Sequence, residues 1–465
     1  MNKYKKLIAN TFIFGIGTFS SKLLVFLLMP LYTRLLTTAE YGVIDIIVGT
    51  AQLLFPVVGL SIGEGVMRFG IDKQTNKKQV FTTGISTVGV GFLVFLCFIP
   101  IFLSNTFIKD YTALVYLYVL MACVNNVCMN FIRSQGRVKL YAFTGFLASL
   151  LVVVYNVIAL VILDLGIIGF VMSTILSDLC CIVFLVITAK LYRFFSLSSL
   201  NKAITKQMIK YSVPMITNSL FWWITNVSDR YFVIYFLGEA VNGLYAVAYK
   251  IPTIINVIVL IFTQAWNISA FTEYDDEKAV SFFSTVFKTY RAVIFIAGAF
   301  IIALIKPLTA ILVSADFFGS WKYVPLLVLS VVFSCFVTFL GSIYMANKKN
   351  TMSMITTLIG AVSNIVMNFL LIPKYGANGA AFATAMSYLI VFIIRAIDTR
   401  RFMKINYSMG NLLANMVLIC AQAYLSITDI PNMWVYQTLF VVLIISVNFK
   451  LAMSFIQKLL SKYKK

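Results

Sequence analysis

Histidine is absent from the chain, which removes the commonest zinc ligand and the side chain that titrates most readily near neutral pH. Any proton chemistry would fall to carboxylates. Charge is scarce as well, at 11% of residues, and acidic residues number 16 against 37 basic ones. No GxxxxGK[ST] loop occurs, so direct nucleotide drive is not encoded. The seven cysteines, Cys97, Cys123, Cys128, Cys180, Cys181, Cys335 and Cys420, all fall within apolar runs without metal-ligand spacing, and read as packing residues. Connections between the runs are short: the longest outer one covers 306–322 and the largest inner ones 190–210 and 272–282. None has room for a folded catalytic domain, so the chain reads as a non-enzyme without a cofactor or bound metal.

What the chain does have is apolar length. Hydrophobic residues make up 61% of its 465 positions, more than a soluble chain could bury. They lie in fourteen runs, at 7–33, 40–66, 80–103, 111–132, 140–163, 166–189, 211–236, 240–271, 283–305, 323–346, 351–372, 377–397, 408–428 and 432–456. Each run suffices for a helix to cross roughly 30 Å of hydrocarbon. Strand-like alternation is missing, and "LLVVVYNVIALVIL" is apolar on every side, which argues for helices over a barrel. The expected fold is an all-α polytopic membrane protein with about 14 transmembrane helices.

Lys and Arg accumulate in cytoplasmic loops, and an arrangement with both termini inside leaves only Arg34, Lys109, Lys306, Lys322 and Lys374 outside. The net charge of +21 is then mostly topology, with no nucleic-acid partner implied, and the basic loops would face anionic lipid. The expected location is the inner (cytoplasmic) membrane. The first run follows Lys3, Lys5 and Lys6 but is too long for a signal peptide and lacks a small-residue cleavage site.

Two stretches recur. "LLTTAEYGVID" at 35–45 resembles "FLGEAVNGLYA" at 236–246, and "LGIIGFVMSTILS" at 165–177 resembles "YGANGAAFATAMS" at 375–387, with glycines in register. Such repeats point to two lobes in the same membrane orientation: residues 1–200, residues 201–405, and a further helix pair with a basic tail at 406–465. The glycines also suit close helix approach and tight turns. Thr37 and Glu40 form a T-x-x-E capping box that would start the second helix. Pro30, Pro56, Pro214 and Pro252 fall in the first two spans of each lobe, where they would kink the helices, either as a gate or as static packing.

Several charges lie deep in the runs. Asp229 and Arg230 are adjacent, and adjacent residues diverge by about 100° around a helix, so neither has an opposite charge three or four residues away. The same holds for Lys22, Lys250, Arg291 and Asp178. A charge facing lipid at the bilayer centre costs about 2.5–3.5 kcal/mol or more, so an internal hydrophilic cavity is the economical reading. Lys22, Arg230, Lys250 and Arg291 would make it basic and suited to an anionic cargo, with Asp45, Glu64, Asp178 and Asp229 as ion-coupling or structural carboxylates. Interhelical salt bridges are the alternative role for part of this set, and Asp45, Glu64, Arg68 and Arg395, near span ends, could reach the interface. Trp222, Trp223, Tyr245 and Tyr249 could stack on sugar or serve as packing anchors.

Three segments carry a resemblance over essentially the whole chain: "GTFSSKLLVFLLMPLYTRLLTTAEYGVIDI", "VPMITNSLFWWITNVSDRYFVIYFLGEAVNGLYAVAYKIP" and "PKYGANGAAFATAMSYLIVFI". They resemble the polysaccharide transport proteins of the multidrug, oligosaccharidyl-lipid and polysaccharide exporter superfamily, most of all the O-antigen or capsule repeat-unit flippases. That resemblance implies a V-shaped pair of six-helix bundles with two additional C-terminal helices. It implies a flippase that carries a polyprenyl-pyrophosphate-linked oligosaccharide from the inner to the outer leaflet by alternating access, with Lys22, Arg230, Lys250 and Arg291 in a basic lumen. Partners would be the lipid-linked oligosaccharide, the membrane, a proton or sodium counter-ion, and a polysaccharide polymerase machinery. A lipid II or teichoic-precursor flippase, a multidrug cation antiporter and a membrane-embedded sugar polymerase or transferase are the rival functions.

Overall fold

The structure, a computed structural model, describes residues 28–72, 74–104, 107–272, 279–347, 349–428 and 430–463. Helices account for its regular elements, with no strand among the described residues. The chain is an all-α polytopic membrane protein, as lipid requires of backbone that must satisfy its own hydrogen bonds. It divides into two compact units, Met1–Trp223 and Ile224–Lys465.

The N-terminal unit contains α1 (Met29–Leu35), α2 (Thr38–Val58), α3 (Ile62–Ile71), α4 (Lys77–Leu96), α5 (Ile99–Leu103), α6 (Thr112–Ser134), α7 (Val138–Asn156) and α8 (Gly166–Thr188). Its helix starts follow local chemistry. Thr37 and Glu40 make the reciprocal capping box at α2, and Asn76 accepts from the Lys78 N–H at 3.0 Å at α4. Run 40–66, expected as one span, is two helices: Leu60 and Ser61 take positive φ and separate α2 from α3. Glycine lets α3 press onto its neighbours. A Cβ at Gly63 would lie 1.9 Å from Asn126 Oδ1, and one at Gly70 would lie 2.2 Å from Ser134 Oγ. In contrast α7 exposes Phe143, Leu150 and Val154, the surface expected of a helix facing lipid.

The division between the units falls within α9 (Lys202–Leu237). Asn201 caps this helix by accepting from the Ala203 N–H at 2.9 Å. The C-terminal unit then holds α10 (Glu239–Lys250), α11 (Thr253–Thr272), α12 (Ala279–Ala303), α13 (Ile305–Leu312), α14 (Val324–Ala346), α15 (Asn350–Asp398), α16 (Met409–Thr428) and α17 (Met433–Tyr463). Run 240–271 is again two helices, with Pro252 in the gap between α10 and α11. Of the four noted prolines, Pro56 and Pro214 sit inside helices, whereas Pro30 opens α1. The apolar centre of this unit is α14, whose Phe336 and Phe339 pack with Phe287 of α12.

Runs 351–372 and 377–397 form the two arms of α15, broken at Gly376, whose φ of 61° and ψ of −148° are not helical. The arms fold back on each other. A straight helix would separate residues 20 apart by about 30 Å, yet Asn364 Nδ2 donates to Thr384 Oγ1 at 3.2 Å. Gly379 permits the reversal, since a Cβ there would lie 2.5 Å from the Leu371 carbonyl oxygen. Its counterpart in the sequence repeat behaves alike: Gly166 has φ 49° and opens α8, and a Cβ at Gly169 would sit 3.2 Å from the Ala159 carbonyl.

Candidate functional site

Within the C-terminal unit a polar seam is assembled from helical pairs spaced three or four residues apart, which share a helix face. The pairs are Asn226 with Asp229 and Arg230 on α9, Tyr245 with Tyr249 on α10, Asn364 with Asn368 on the first arm of α15, and Thr384 with Tyr388 on the second. At its centre is Asp229, 1% exposed. Its Oδ2 accepts from Tyr245 Oη at 2.7 Å and Thr384 Oγ1 at 3.3 Å, and its Oδ1 accepts from the Arg230 backbone N–H at 3.0 Å. Behind Thr384, Asn368 Nδ2 donates to Asn364 Oδ1 at 2.8 Å, while Tyr388 Oη donates to Asn226 Oδ1 at 2.7 Å. Hydrogen bonds to an ionised group contribute about 1.5–3 kcal/mol each, and three of them offset much of the several kcal/mol that desolvating a carboxylate costs.

Arg230 is half-buried, its guanidinium carbon 5.0 Å from the centre of the Tyr249 ring. A cation at this distance is attracted by the ring's quadrupole, and a guanidinium fork is the geometry that matches oxyanions. Lys250 is exposed at the last position of α10, directly before the Pro252 break. Arg230 and Lys250 therefore belong to the two helices that the Tyr249 contact joins. Tyr245 is fully buried and spent on Asp229, and Trp223 donates through Nε1 to the Gly49 carbonyl at 2.8 Å. Both are packing groups in this arrangement.

The other candidate charges have their own surroundings. Arg291 is fully buried on α12 and donates to the Tyr407 carbonyl at 2.7 Å and to Asn411 Oδ1 at 2.5 Å, tying α12 to the start of α16. In the N-terminal unit, Asp178 on α8 is half-buried and accepts from Asn125 Nδ2 of α6 at 2.7 Å. Asp45 is buried on α2, and Glu64 is exposed in the first turn of α3. Lys22 lies outside the described residues. Arg395, expected to reach the interface, is instead 4% exposed, enclosed by α14 and the first arm of α15. The seam's asparagines, Thr384 and Tyr388 escaped sequence reasoning as site residues, although their four-residue spacing in apolar helices was a readable signal.

The sequence model of the polysaccharide biosynthesis protein family matches residues 7–267, and that of the lipid II flippase MurJ family matches residues 322–445. No curated protein matches the chain by sequence. Among solved structures, the inward closed conformation of the lipid II flippase MurJ superposes with a TM-score of 0.72 at 14% identity, over 97% of this chain and 100% of that one. An outward-facing multidrug resistance MATE family transporter of the MOP superfamily gives 0.59 at 17% identity, over 90% of this chain and 96% of that one. A MOP superfamily transporter from Pyrococcus furiosus, described by the reverse polarity of its binding pocket, gives 0.57 at 15% identity, over 84% of this chain and 95% of that one. These structural neighbours are transporters and flippases rather than catalysts. Since the first family match spans more than half of its length, the chain belongs to the polysaccharide biosynthesis protein family, built on the fold these membrane proteins share.

Proposed function

We propose that the chain is a flippase that moves a polyprenyl-pyrophosphate-linked oligosaccharide repeat unit from the inner to the outer leaflet, by alternating access, for cell-surface polysaccharide synthesis. The observation that carries this reading is Arg230, a guanidinium seated on the Tyr249 ring in a polar seam of otherwise apolar helices, inside the segment that matches the family. A pyrophosphate crossing bare hydrocarbon would leave its charges unsatisfied, and Arg230 and Lys250 are the groups assigned to meet it, with Lys22 as a third. Arg291 is assigned to holding α16 in place. The membrane is the inner one with both termini cytoplasmic, and the two six-helix lobes and C-terminal pair follow the repeat boundaries.

For energy, an interior-negative potential favours outward movement of anionic cargo by about 2.3 kcal/mol per charge per 100 mV. For a proton or sodium ion, Asp178 suits the role better than Asp229, being half-buried where Asp229 is locked by Tyr245 and Thr384. The test is reconstitution with a defined lipid-linked oligosaccharide and an assay of outer-leaflet accessibility. Losing one phosphate contact should slow translocation about 10- to 100-fold in Arg230→Ala, and Arg230→Lys, which keeps the charge without the fork, should fall between. Unimpaired transport in the Arg230→Ala, Lys250→Ala double variant would overturn the assignment.

A second reading has a specific observation behind it. The match to the lipid II flippase MurJ family over residues 322–445 favours a lipid II cargo, and equal rates with lipid II and a sugar repeat unit on the same carrier would support it.

A further inference from the structure

At one end of the N-terminal unit, the connections that the charge pattern assigns to the inner face line an open pocket of about 790 Å³. Its lining includes Lys78 from the first turn of α4, Arg137 from the turn before α7, Lys190 from the end of α8 and Arg193 just beyond, with Phe194 as an apolar wall. All four cations are exposed. The wall is built rather than incidental. Thr82 of α4 donates to the Phe194 carbonyl at 3.1 Å and accepts from the Ser196 N–H at 3.0 Å, and Arg137 Nη1 reaches the Ala189 carbonyl at 3.5 Å. Phe194 also packs on Phe131, ring centres 5.1 Å apart.

Lys190 takes a left-handed backbone, φ 54° and ψ 44°, at the position past a helix end that glycine usually fills. Keeping a β-carbon there is unfavourable, so the cavity retains a lysine where glycine would be conformationally easier. A backbone outlier of this kind justifies a functional hypothesis.

The segment that follows tells which anion fits. Tyr192, Phe195, Leu197 and Leu200 are exposed between α8 and α9, interleaved with Arg193 and three serines. Aromatic and aliphatic side chains beside basic ones mark backbone lying at the headgroup level of a bilayer. An opening there meets lipid headgroups before it meets soluble anions.

We propose that this pocket is a binding site for an anionic phospholipid headgroup of the inner leaflet, with Lys78, Arg137, Lys190 and Arg193 receiving the phosphate oxygens. It is lined by residues of the N-terminal unit, whereas Arg230 and Lys250 belong to the C-terminal unit, and its test does not depend on transport. The full-length protein, purified in mild detergent, is titrated with phosphatidylglycerol, phosphatidylcholine and inorganic phosphate, with bound lipid counted by native mass spectrometry. A variant with all four residues changed to Gln is compared with a control changing Lys349, Arg400, Arg401 and Lys404 to Gln, which removes the same charge from the C-terminal unit.

The expected result is retention of phosphatidylglycerol over phosphatidylcholine by the native protein and the control, and weakening on the order of 100-fold or more in the pocket variant. Lys190→Gly should also weaken binding while leaving the melting temperature unchanged or higher, which a purely structural lysine would not do. Equal loss in pocket variant and control would mean diffuse charge and overturn the proposal. Displacement by inorganic phosphate at the lipid's own concentration would make it a soluble-anion site, and displacement by polyprenyl pyrophosphate at far lower concentration would make it a cargo site; either overturns it too.

Discussion

Arg395→Ala separates a structural cation from a transport cation. The Arg395 side chain donates from Nε to Thr356 Oγ1 at 2.9 Å, from Nη1 to the Val337 carbonyl at 2.9 Å, and from Nη2 to the Ser353 carbonyl and Thr357 Oγ1 at 3.0 Å each. Its guanidinium carbon lies 5.7 Å from the centre of the Tyr344 ring, and Gly341 makes room for it, since a Cβ there would be 2.9 Å from Nη1. The truncation removes a charge along with its hydrogen bonds, and the threonine hydroxyls can fall back on the Ser353 carbonyl they already reach. The remaining cost is mainly the cavity, about 2 kcal/mol for a void near 85 Å³, plus the lost tether, for a total of about 2–4 kcal/mol. At roughly 2–4 °C per kcal/mol for a unit of this size, a melt followed by size-exclusion chromatography in detergent should fall about 5–15 °C. Transport per folded molecule should stay near native. A melt within about 2 °C of native, with transport reduced as in Arg230→Ala, would refute the reasoning and make Arg395 part of the cargo path.

Asp229→Asn should lower stability by about 1–2 kcal/mol, since its amide nitrogen must face either the hydroxyl donors or the Arg230 N–H; a detergent melt measures it, and a neutral result would mean the carboxylate carries no charge-assisted bonds. Gly376→Ala should cost about 1–3 kcal/mol through φ 61°, ψ −148° alone, because the added methyl would meet no neighbouring atom within 4 Å. Gly410→Ala, equally open but without a positive φ, should be neutral or stabilising in the same assay. In the loop before α4, the Gln74 N–H and Thr75 hydroxyl hold the Asp72 carboxyl below its ordinary value. Because the folded value is the lower one, this stabilisation is present above about pH 4 and is lost as pH falls through the folded value; Asp72→Asn should lack that acid-limb dependence in melts taken between about pH 5 and 2.

The fold was legible because lipid punishes irregular backbone, so long apolar runs can only be helices. The capping box at Thr37 and the tight turns at Gly166 and Gly376 read correctly for the same reason: each has a local cause, a reciprocal side-chain bond in one case and a positive φ in the other. Helix breaks were less legible. Leu60 and Ser61 both take a positive φ, and leucine is not a residue type that favours it, so the break inside run 40–66 went unread. Among the charges, neither burial nor partnership was fully readable: Arg395, near a span end, is buried, and Lys250, deep in an apolar run, is exposed at the end of α10. Arg291 and Arg395 look alike on a helical projection, and only tertiary structure reveals that their acceptors are backbone carbonyls, an asparagine and hydroxyls.

Adjacency of Asp229 and Arg230 does not make them one ion pair within their helix; it distributes them to two tasks. The 100° step between neighbours turns the carboxylate towards the hydroxyls of Tyr245 and Thr384 and the guanidinium towards the Tyr249 ring. Both tyrosines sit one helical turn apart on α10, so this short helix is fixed to α9 through both charges at once. A change in what Arg230 binds would then act on α10, at whose end Lys250 and the Pro252 break lie. Under this coupling, Tyr249→Ala should free Arg230 from its ring while leaving the Asp229 bonds in place. It should therefore impair translocation more than stability, whereas Tyr245→Phe, which removes a hydroxyl from Asp229, should do the reverse. Matching losses of melting temperature and transport in the two variants would show that α10 responds as a rigid plug and that its two tyrosines have no separate roles.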